Sequence, residues 1–460
     1  MGFSFARSLR GATALSAAVL AGSLVLGIGT QAQAQGTSSD TPPGYFFTLG
    51  DPLKSTGQQL ADKGIYFNGA NVGIFYDNAS GGLQTGGWWT NDASAGMDFD
   101  MTKLAGIPGA KAHILFDDRA SAFPAKFTGA LWGISGEYGP IETFQLSELS
   151  WEQSLFDDHL RLLFGRIGPL GDFSTFDVYC NFYSIGVCGN GPPGYYFNDS
   201  SILNPMATWG FRASVKPTLS TYIRAGIYAN EAGGDPFYST TNHGFTDWGL
   251  HYANGVFVPF QIGYDSINQN YPTHLFIGGW YDSSPYIVPA TASQFSYMDR
   301  GRTDFYFGIE QTVYKPDPKG SRQLLVFFEP QWVVEGQTPI PVSFVAGAVF
   351  EGPFASRPHD TFNVAFDWAA YNHRFADAAA FDSGIAASLI AQTENWVEVS
   401  YSLALAPGLS FQPFIQYFTN PDQAAAAVYN PKVKDSFVVG FATVVVLNGL
   451  LGLPGLGHSN

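Results

Sequence analysis

Arginines stand on the polar sides of two neighbouring alternating segments. Arg212 lies between apolar Phe211 and Ala213, and Arg224 lies between Ile223 and Ala225. A guanidinium group carries five N–H donors, so arginines along a water-filled wall can replace the water that a polar solute loses. The further charged candidates at such polar positions are Asp98, Asp100, Glu310 and Glu398. A solvated wall residue without a role in selectivity is the simpler interpretation for each of them.

Aromatic side chains can add flat apolar faces to the same wall, which suit the C–H surfaces of a polar solute. By the same alternation, the aromatic candidates are Tyr222, Tyr228, Trp280 and Tyr306. Six charged residues are less regular candidates, because their segments change phase or because they lie near a segment end: Glu148, Glu152, Arg161, Arg166, Asp117 and Arg119. Together these residues would give a charged, hydrogen-bonding and aromatic surface.

Catalytic motifs give no comparable signal. The run Gly189–Gly194 matches a dinucleotide fingerprint by letters, but Pro192 and Pro193 and the missing β-α-β context exclude that interpretation. Nucleophile-elbow, zinc-protease and calcium-loop patterns do not occur, and the eight histidines are scattered. Glu148 and Glu152 could form a glycosidase carboxylate pair only at a separation that sequence does not supply. We therefore expect no catalytic residues, no metal and no cofactor.

Short alternating segments of about ten residues must position these candidates. In residues 92–103, for example, Ala93, Ala95 and Met97 alternate with polar residues, and ten residues suffice for a tilted strand to cross a bilayer. Sixteen such segments are predicted, at 65–77, 92–103, 110–119, 142–154, 159–167, 206–216, 219–230, 255–265, 274–282, 304–314, 323–334, 342–350, 361–371, 395–405, 409–418 and 435–447. An even number of antiparallel strands is typical of bacterial outer-membrane barrels.

The links between these segments alternate in length through the first half of the chain. Residues 78–91, 120–141, 168–205 and 231–254 form long links, and the links between them are short, as in an up-and-down barrel with short periplasmic turns. The alternation of long and short links weakens at 335–341, where a short link stands in place of an expected long one. The long links 120–141 and 168–205 could fold inward to narrow a pore or could form an outer lid.

Composition favours the same architecture. Of 460 residues, 16% are aromatic and 13% are charged, about half the charged share of an ordinary soluble domain, and the net charge is −16. This mixture excludes a disordered chain and a coiled coil, and the acidic balance argues against nucleic-acid binding. A secreted β-sandwich, propeller or solenoid is the alternative, and the absence of a fixed internal period weakens the last two.

The N-terminus is expected to be a signal peptide spanning residues 1–34. Arg7 and Arg10 precede an apolar stretch, and Ala32-Gln33-Ala34 offers a cleavage site. Residues 35–64 should follow as a periplasmic segment with a short helix, which begins at the N-cap Asp51 with Pro52 in its first turn and stops at Gly64. The barrel is assigned to 65–447 and a C-terminal tail to 448–460.

Two further segments need an interpretation. Cys180 and Cys188 lie eight residues apart in an exported chain, which favours a disulfide that stiffens a long loop, with a pair of free thiols as the alternative. The apolar run 437–457 is long enough for a membrane helix, but its Val and Gly content, Asn448 and Pro454 favour a last strand followed by a tail.

Several segments together resemble the carbohydrate-selective porins, the OprB-type outer-membrane family. Glu394–Leu403 and Leu409–Tyr417 are similar to that family's penultimate hairpin, and Leu60–Ile65 resembles the end of its N-terminal helix. Leu146–Gln153 and Leu163–Arg166 resemble its middle strands. The remaining similar pieces are Asn420-Pro421 and Cys188-Gly189-Asn190.

This resemblance implies an all-β transmembrane barrel in the bacterial outer membrane that lets small sugars diffuse passively. Its implied partners are sugar solutes, outer-membrane lipids and the barrel assembly machinery, with a homotrimer as one oligomeric form and no nucleic acid. A glycan-binding or glycan-hydrolysing β-protein without a through-channel is the alternative function. The chain departs from the family at Gly50-Asp51, where Pro52 and Leu53 follow, and at its end, where Gly457–Asn460 replaces a terminal aromatic residue.

Overall fold

Sixteen antiparallel strands close into one barrel. The computed structural model describes residues 41–121, 125–130, 143–169, 171–184, 186–188, 191–198, 207–230, 250, 253–266, 271–318, 320–421 and 433–456. Each strand pairs with its neighbours in sequence, and the first strand pairs with the last, so the sheet has no free edge. Closure satisfies every backbone group within the wall, which is what a lipid environment requires. The predicted fold class and strand number are therefore confirmed.

All sixteen predicted segments are strands. Their bounds are β1 Ile65–Gly82, β2 Gly86–Asp100, β3 Ala110–Ser121, β4 Thr143–Leu155, β5 Leu160–Ile167, β6 Thr208–Val215, β7 Thr221–Asn230, β8 Gly255–Asp265, β9 Thr273–Val288, β10 Tyr297–Tyr314, β11 Gln323–Glu335, β12 Val342–Glu351, β13 Thr361–Ala370, β14 Thr393–Ala406, β15 Leu409–Thr419 and β16 Lys434–Val446. The predicted long link at 78–91 is wrong, because β1 and β2 continue into it and pair up to Asn78 and Gly86, leaving only 83–85 between the strands.

The alternation separates the two faces of the wall. In β13, Asn363, Ala365 and Asp367 are buried inside, whereas Phe362 is exposed on the outside. Aromatic side chains also meet on the outer surface, where the ring of Phe75 lies 5.6 Å from that of Phe441. Apolar residues therefore face outward and polar residues face the interior, the pattern of a membrane barrel. Of the helices in the described ranges, none is long and apolar enough to span a bilayer.

A bulge and a distorted glycine explain the two strands whose facing sequence left open. The pairing between β3 and β4 shifts between Leu115 and Phe116, so that β4 changes phase at this point. In β5, Gly165 has a φ of +142°, and its hypothetical Cβ would lie 2.2 Å from the carbonyl oxygen of Leu149. Only a glycine fits this close approach, and the strand bends there.

Short helices occupy the connections and both ends of the barrel. The helix bounds are α1 Lys54–Ala61, α2 Met101–Ala105, α3 Ala125–Thr128, α4 Pro193–Phe197, α5 His373–Ser383 and α6 Leu447–Leu451, with 3-10 turns at Asp177–Asn181 and Ala387–Leu389. The short β2–β3, β4–β5 and β14–β15 turns lie at the same end as α1, which makes this end the periplasmic one.

The N-terminal helix begins later than predicted. Leu53 is the N-cap of α1, and Asp51 does not cap it, because Asp51 has a φ of +51° and lies against Gly452. The helix packs on the segment after α6, where a Cβ on Gly57 would lie 2.8 Å from Pro454. At its end, the Lys103 ammonium donates a hydrogen bond of 2.7 Å to the carbonyl of Ala61. Helix α1 and the segment after α6 therefore pack against each other.

The apolar run near the C-terminus is not a membrane helix. It forms the second half of β16, which pairs with both β15 and β1, and then the single short helix α6. The proposed signal peptide at residues 1–34 and the last residues, 457–460, lie outside the described ranges.

Candidate channel lumen

A long connection enters the barrel between β5 and β6. We call residues 171–198 the inserted loop, of which 171–184, 186–188 and 191–198 are described. The ring of Phe176 lies 4.8 Å from that of Phe276 in β9, and the ring of Tyr179 lies 5.2 Å from that of Phe327 in β11. Phe182 also meets Phe327 at 5.9 Å. The loop therefore lies on the inner wall, and of the two arrangements considered for residues 168–205, this part folds inward.

A buried carboxylate on β11 holds the first half of the inserted loop. Glu329 is fully buried, and it accepts hydrogen bonds from the hydroxyls of Ser174 and Tyr179, the latter at 2.5 Å. Burial raises the pKa of the Tyr179 hydroxyl well above its ordinary value, and the charge of Glu329 raises it further. Tyr179 therefore remains a donor at any physiological pH.

A second set of contacts holds the middle of the loop on β14 and β15. The Glu398 carboxylate accepts a hydrogen bond from the backbone N–H of Tyr183 at 3.2 Å and another from the side chain of Gln416 at 2.8 Å. The side-chain amide of Gln412 donates to the carbonyl of Asn181 at 2.8 Å. Glu398 thus lies on the inner face, as alternation predicts, but it contacts the loop.

The two predicted arginines lie side by side on the opposite wall. Arg212 in β6 forms an ion pair with Asp172 of the inserted loop, and Arg224 in β7 donates to the backbone carbonyl of Asp172. The guanidinium carbon of Arg224 also lies 5.2 Å from the ring centre of Tyr222 and 6.0 Å from that of Phe173. One loop residue therefore links both arginines, and the Arg224 side chain remains half-buried.

A hydrogen-bonded group of three side chains continues from Arg224. The Gln261 side-chain amide donates to the Tyr222 hydroxyl at 2.6 Å, and its oxygen accepts from the Tyr306 hydroxyl at 3.1 Å and from the backbone of Ser174 at 3.0 Å. The other two predicted aromatic residues also lie on the inner face and are almost fully buried: Tyr228 and Trp280. This group fixes the orientation of the phenol beside Arg224.

The charged candidates of β2 to β4 form pairs across the inner wall. The Arg119 guanidinium donates to Asp92 at 2.6 Å and lies 3.8 Å from Asp117. Asp98 lies 2.7 Å from Nδ1 of His113. In β4, Glu152 lies 3.4 Å from the Lys111 ammonium, and Glu148 accepts a hydrogen bond of 2.6 Å from Ser150. Most of these charges are therefore compensated by a neighbour in the wall.

Three of the candidates lie away from the open part of the lumen. Asp100 is the last residue of β2 at the periplasmic end, where it caps α2 and accepts hydrogen bonds from the backbone of residues 102 and 103. Arg161 forms an ion pair with Asp158 in the β4–β5 turn, and this hydrogen bond lowers the pKa of Asp158 to about 2. Arg166 is buried in the wall and donates to the carbonyl of Ala207 at 2.7 Å. Their positions argue for structural roles.

The predicted disulfide in the inserted loop stays a prediction. Cys180 and Cys188 are free cysteines, and a hydrogen bond between their side chains lowers the pKa of the Cys180 thiol. The contacts described above hold the inserted loop on the wall.

The other long link reaches the outer end of the barrel. The ring of Phe127 stacks on that of Trp88 at 4.4 Å, and its carbonyl accepts hydrogen bonds from the backbone of Leu83 and Gln84. Residues 122–124 and 131–142 of this link lie outside the described ranges. The described part thus covers the β1–β2 turn.

Sequence analysis missed several inner-face residues of the strands that hold the loop. These are Gln261, Glu329, Gln331, Asp304 and Asp367, all buried on the inside. Alternation within the predicted strands 255–265, 304–314, 323–334 and 361–371 places each of them on the inner face, so the signal was available. What sequence could not show is that the loop covers several of them.

Comparison with known proteins supports the same assignment. Residues 86–447 match the model of the family described as carbohydrate-selective porin, OprB family. The chain belongs to this family. It is also 22% identical over 410 residues to a putative porin QuiX of Acinetobacter baylyi, covering 84% of this chain and 90% of that one. Porin B of Pseudomonas aeruginosa is 22% identical over 425 residues, covering 86% and 91%.

The fold agrees with a solved member of the family. The high-pH structure of Pseudomonas putida OprB superimposes with a TM-score of 0.77 at 19% identity, covering 88% of this chain and 99% of that one. Family and fold together make this OprB-family chain an outer-membrane channel for the diffusion of sugars, with the inserted loop inside it.

Proposed function

We propose that small sugars cross the barrel past the inserted loop and are in contact with Arg224 and Glu310. The observation that supports this proposal is the partial exposure of polar groups beside the loop. Arg224, Glu310 and His274 are half-buried on the inner wall, whereas Asp177 is exposed on the loop itself. Most other charged side chains of the inner wall already form the ion pairs and hydrogen bonds described above.

These groups match what a sugar needs. A guanidinium and a carboxylate supply donors and acceptors for hydroxyl groups, and the buried Tyr222 ring supports the Arg224 guanidinium from behind. Such contacts replace the hydration of the solute, yet each is weak enough for the solute to leave again. The proposed selectivity therefore lies in contacts beside the loop and not in a deep binding pocket.

Reconstitution tests this proposal. Liposomes that contain the purified protein should swell faster in glucose than in a neutral solute of the same size without ring hydroxyls. Arg224→Ala should reduce this preference, whereas Arg300→Ala should leave it unchanged, because Arg300 is exposed on β10 away from these contacts. Equal rates for both solutes in the unmodified protein would refute selectivity, and an Arg224→Ala variant with unaltered preference would remove that residue from the path.

We further propose that the protein does no chemistry on its solute and that the assembly machinery recognises β16 inside the chain. The relatives are named porins, which supports passive transport. Incubation with glucose and small oligosaccharides should return them unchanged, and any hydrolysis product would contradict this view. Because β16 pairs on both sides, the segment from Leu447 onwards follows the last strand, and its removal should still allow assembly.

A further inference from the structure

One carboxyl group behind the inserted loop has no partner. Asp367 lies on the inner face of β13, and its side chain is completely buried. Its register partner Trp396 presents a backbone N–H nearby, but neither oxygen of Asp367 makes a hydrogen bond within the described ranges. Glu329 and Glu398, which are also buried behind the loop, both accept hydrogen bonds. Asp367 therefore differs from both of them.

The second half of the inserted loop separates this carboxyl group from the water of the lumen. A Cβ on Gly186 would lie 2.9 Å from Oδ2 of Asp367 and 3.2 Å from Pro193. Helix α4, near the end of the loop, packs on β12 and β13. The backbone N–H of Gly194 in this helix donates to the hydroxyl of Ser343 at 2.9 Å. A loop that moves away from the wall would therefore expose Asp367 to water.

The elements around Asp367 bring no positive charge to it. Among the described residues, no Lys, Arg or His side chain interacts with this carboxyl group. On β12, the inner-face neighbours are Val345, which is its register partner, and Ser343. The titratable groups of the other neighbouring elements are Glu394 and Glu398 on β14 and Tyr183 and Cys188 in the described part of the loop. All of these are acids, so none can compensate a negative charge on Asp367.

Burial without a partner determines which form of Asp367 fits beneath the loop. An ionised carboxylate in such a place loses its hydration and gains no hydrogen bond, which is costly. The seated loop therefore requires the neutral, protonated carboxyl group. When the loop is displaced, water reaches Asp367, and the group gives its proton to that water as an ordinary aspartate does above pH ~4. Seating of the loop and binding of one proton are thus coupled.

We propose that a proton on Asp367 holds the second half of the inserted loop in place, so that the channel is narrower in acid than at neutral pH. The seated state keeps this proton and the displaced state loses it. Each pH unit above ~4 should therefore raise the ratio of displaced to seated loops by up to about tenfold. Glu329 and Glu398 act in the opposite sense, because the loop donates hydrogen bonds to them and a charged acceptor strengthens such bonds. The coupling does not depend on which solute passes.

Hydrogen exchange of the loop, followed by mass spectrometry on the full chain in detergent micelles, tests the proposal. The backbone N–H groups of Tyr183 and Gly194 donate to side chains of the wall, so they exchange when the loop leaves it. We compare the unmodified protein with Asp367→Asn at each pH, because the intrinsic pH dependence of exchange is the same in both. Between pH ~5 and pH ~7, the ratio of the two exchange rates should rise by up to ~100-fold.

A matched control is Asp382→Asn, which makes the same change at an exposed position of α5 and should behave like the unmodified protein. A ratio between the unmodified protein and Asp367→Asn that stays constant over this pH range would overturn the proposal. A ratio that falls as the pH rises would also overturn it, since Asp367 would then be ionised beneath the seated loop. If Asp367→Asn does not fold, Asp367→Ser removes the same ionisable group with a smaller side chain and takes its place in the comparison.

Discussion

Truncating Phe176 should loosen the inserted loop without unfolding the barrel. The side chain is 2% exposed, and its ring contacts Phe276 at 4.8 Å, Tyr179 at 5.3 Å and His274 at 5.4 Å. Loss of a buried Phe costs about 3–5 kcal/mol. This cost affects the seated loop, because the strand hydrogen bonds around the barrel do not involve Phe176. We therefore expect the barrel to keep its heat stability.

The same loss can be expressed as a change in population. A factor of ten corresponds to about 1.4 kcal/mol, so the ratio of displaced to seated loops should rise by at least ~100-fold. In planar bilayers, Phe176→Ala should show a larger or more variable single-channel conductance. In liposomes it should admit a trisaccharide that the unmodified channel holds back. Phe176→Leu, which keeps most of the buried surface, should lie between the two.

A matched control separates loop release from general damage. Phe305→Ala removes a ring of the same size from the outward face of β10, where it lies 5.9 Å from the ring of Phe260. This variant should keep the normal conductance. If Phe176→Ala and the double variant Phe176→Ala/Tyr179→Phe both conduct and exclude solutes like the unmodified protein, the inserted loop does not narrow the channel, and the reasoning fails.

Three further perturbations follow from other contacts. Asp172→Asn removes the charge that faces Arg212, so reversal potentials in a salt gradient should shift toward anions; no shift would mean that Arg212 is not accessible from the channel. Gly57→Val forces α1 away from the C-terminal segment, and overpacking of this kind lowers the free energy of unfolding by about 1–3 kcal/mol. The temperature at which the barrel shifts on a gel should therefore fall. Asp158 has a pKa lowered to about 2 by its hydrogen bond with Arg161, so its stabilisation is present above pH ~4 and disappears as pH falls toward 2. Since the Asp158 side chain is 44% exposed, we expect its ion pair to contribute less than about 1 kcal/mol to the free energy of unfolding. In Asp158→Asn, the unfolding temperature should depend less on pH over this range.

The strands could be predicted because burial on one face leaves a period of two in the sequence. Their ends could not, because β1 and β2 continue past the segments with clear alternation, where Asn78 and residues 86–91 still pair. The inward- and outward-facing residues of β4 and β5 could not be predicted for a different reason. In β4 a bulge shifts the phase by one residue, and such a shift moves every later side chain to the other face. In β5, Gly165 has a φ of +142°, which the sequence alone does not show.

The role of the inner-face charges was harder to predict than their position. Glu398 was correctly placed on the inside, yet its bonds to the Tyr183 backbone and to Gln416 show that it supports the loop. Such roles depend on which residues of a long connection come close in space. The spacing between residues 174 and 329 or between 183 and 398 carries no local signal of that proximity.

This distinction limits which charges can select a solute. A side chain whose donors or acceptors are already bound to the loop or to a wall neighbour cannot bind a passing sugar without breaking that contact. Arg212 and Glu329 are in this position, because Asp172 and Tyr179 occupy them. Arg224 is different, since it contacts one backbone carbonyl and two aromatic faces, and it has no carboxylate partner among the described residues. Exchanging Arg212 should therefore alter loop position first and sugar preference second, whereas exchanging Arg224 should alter preference while the loop remains in place.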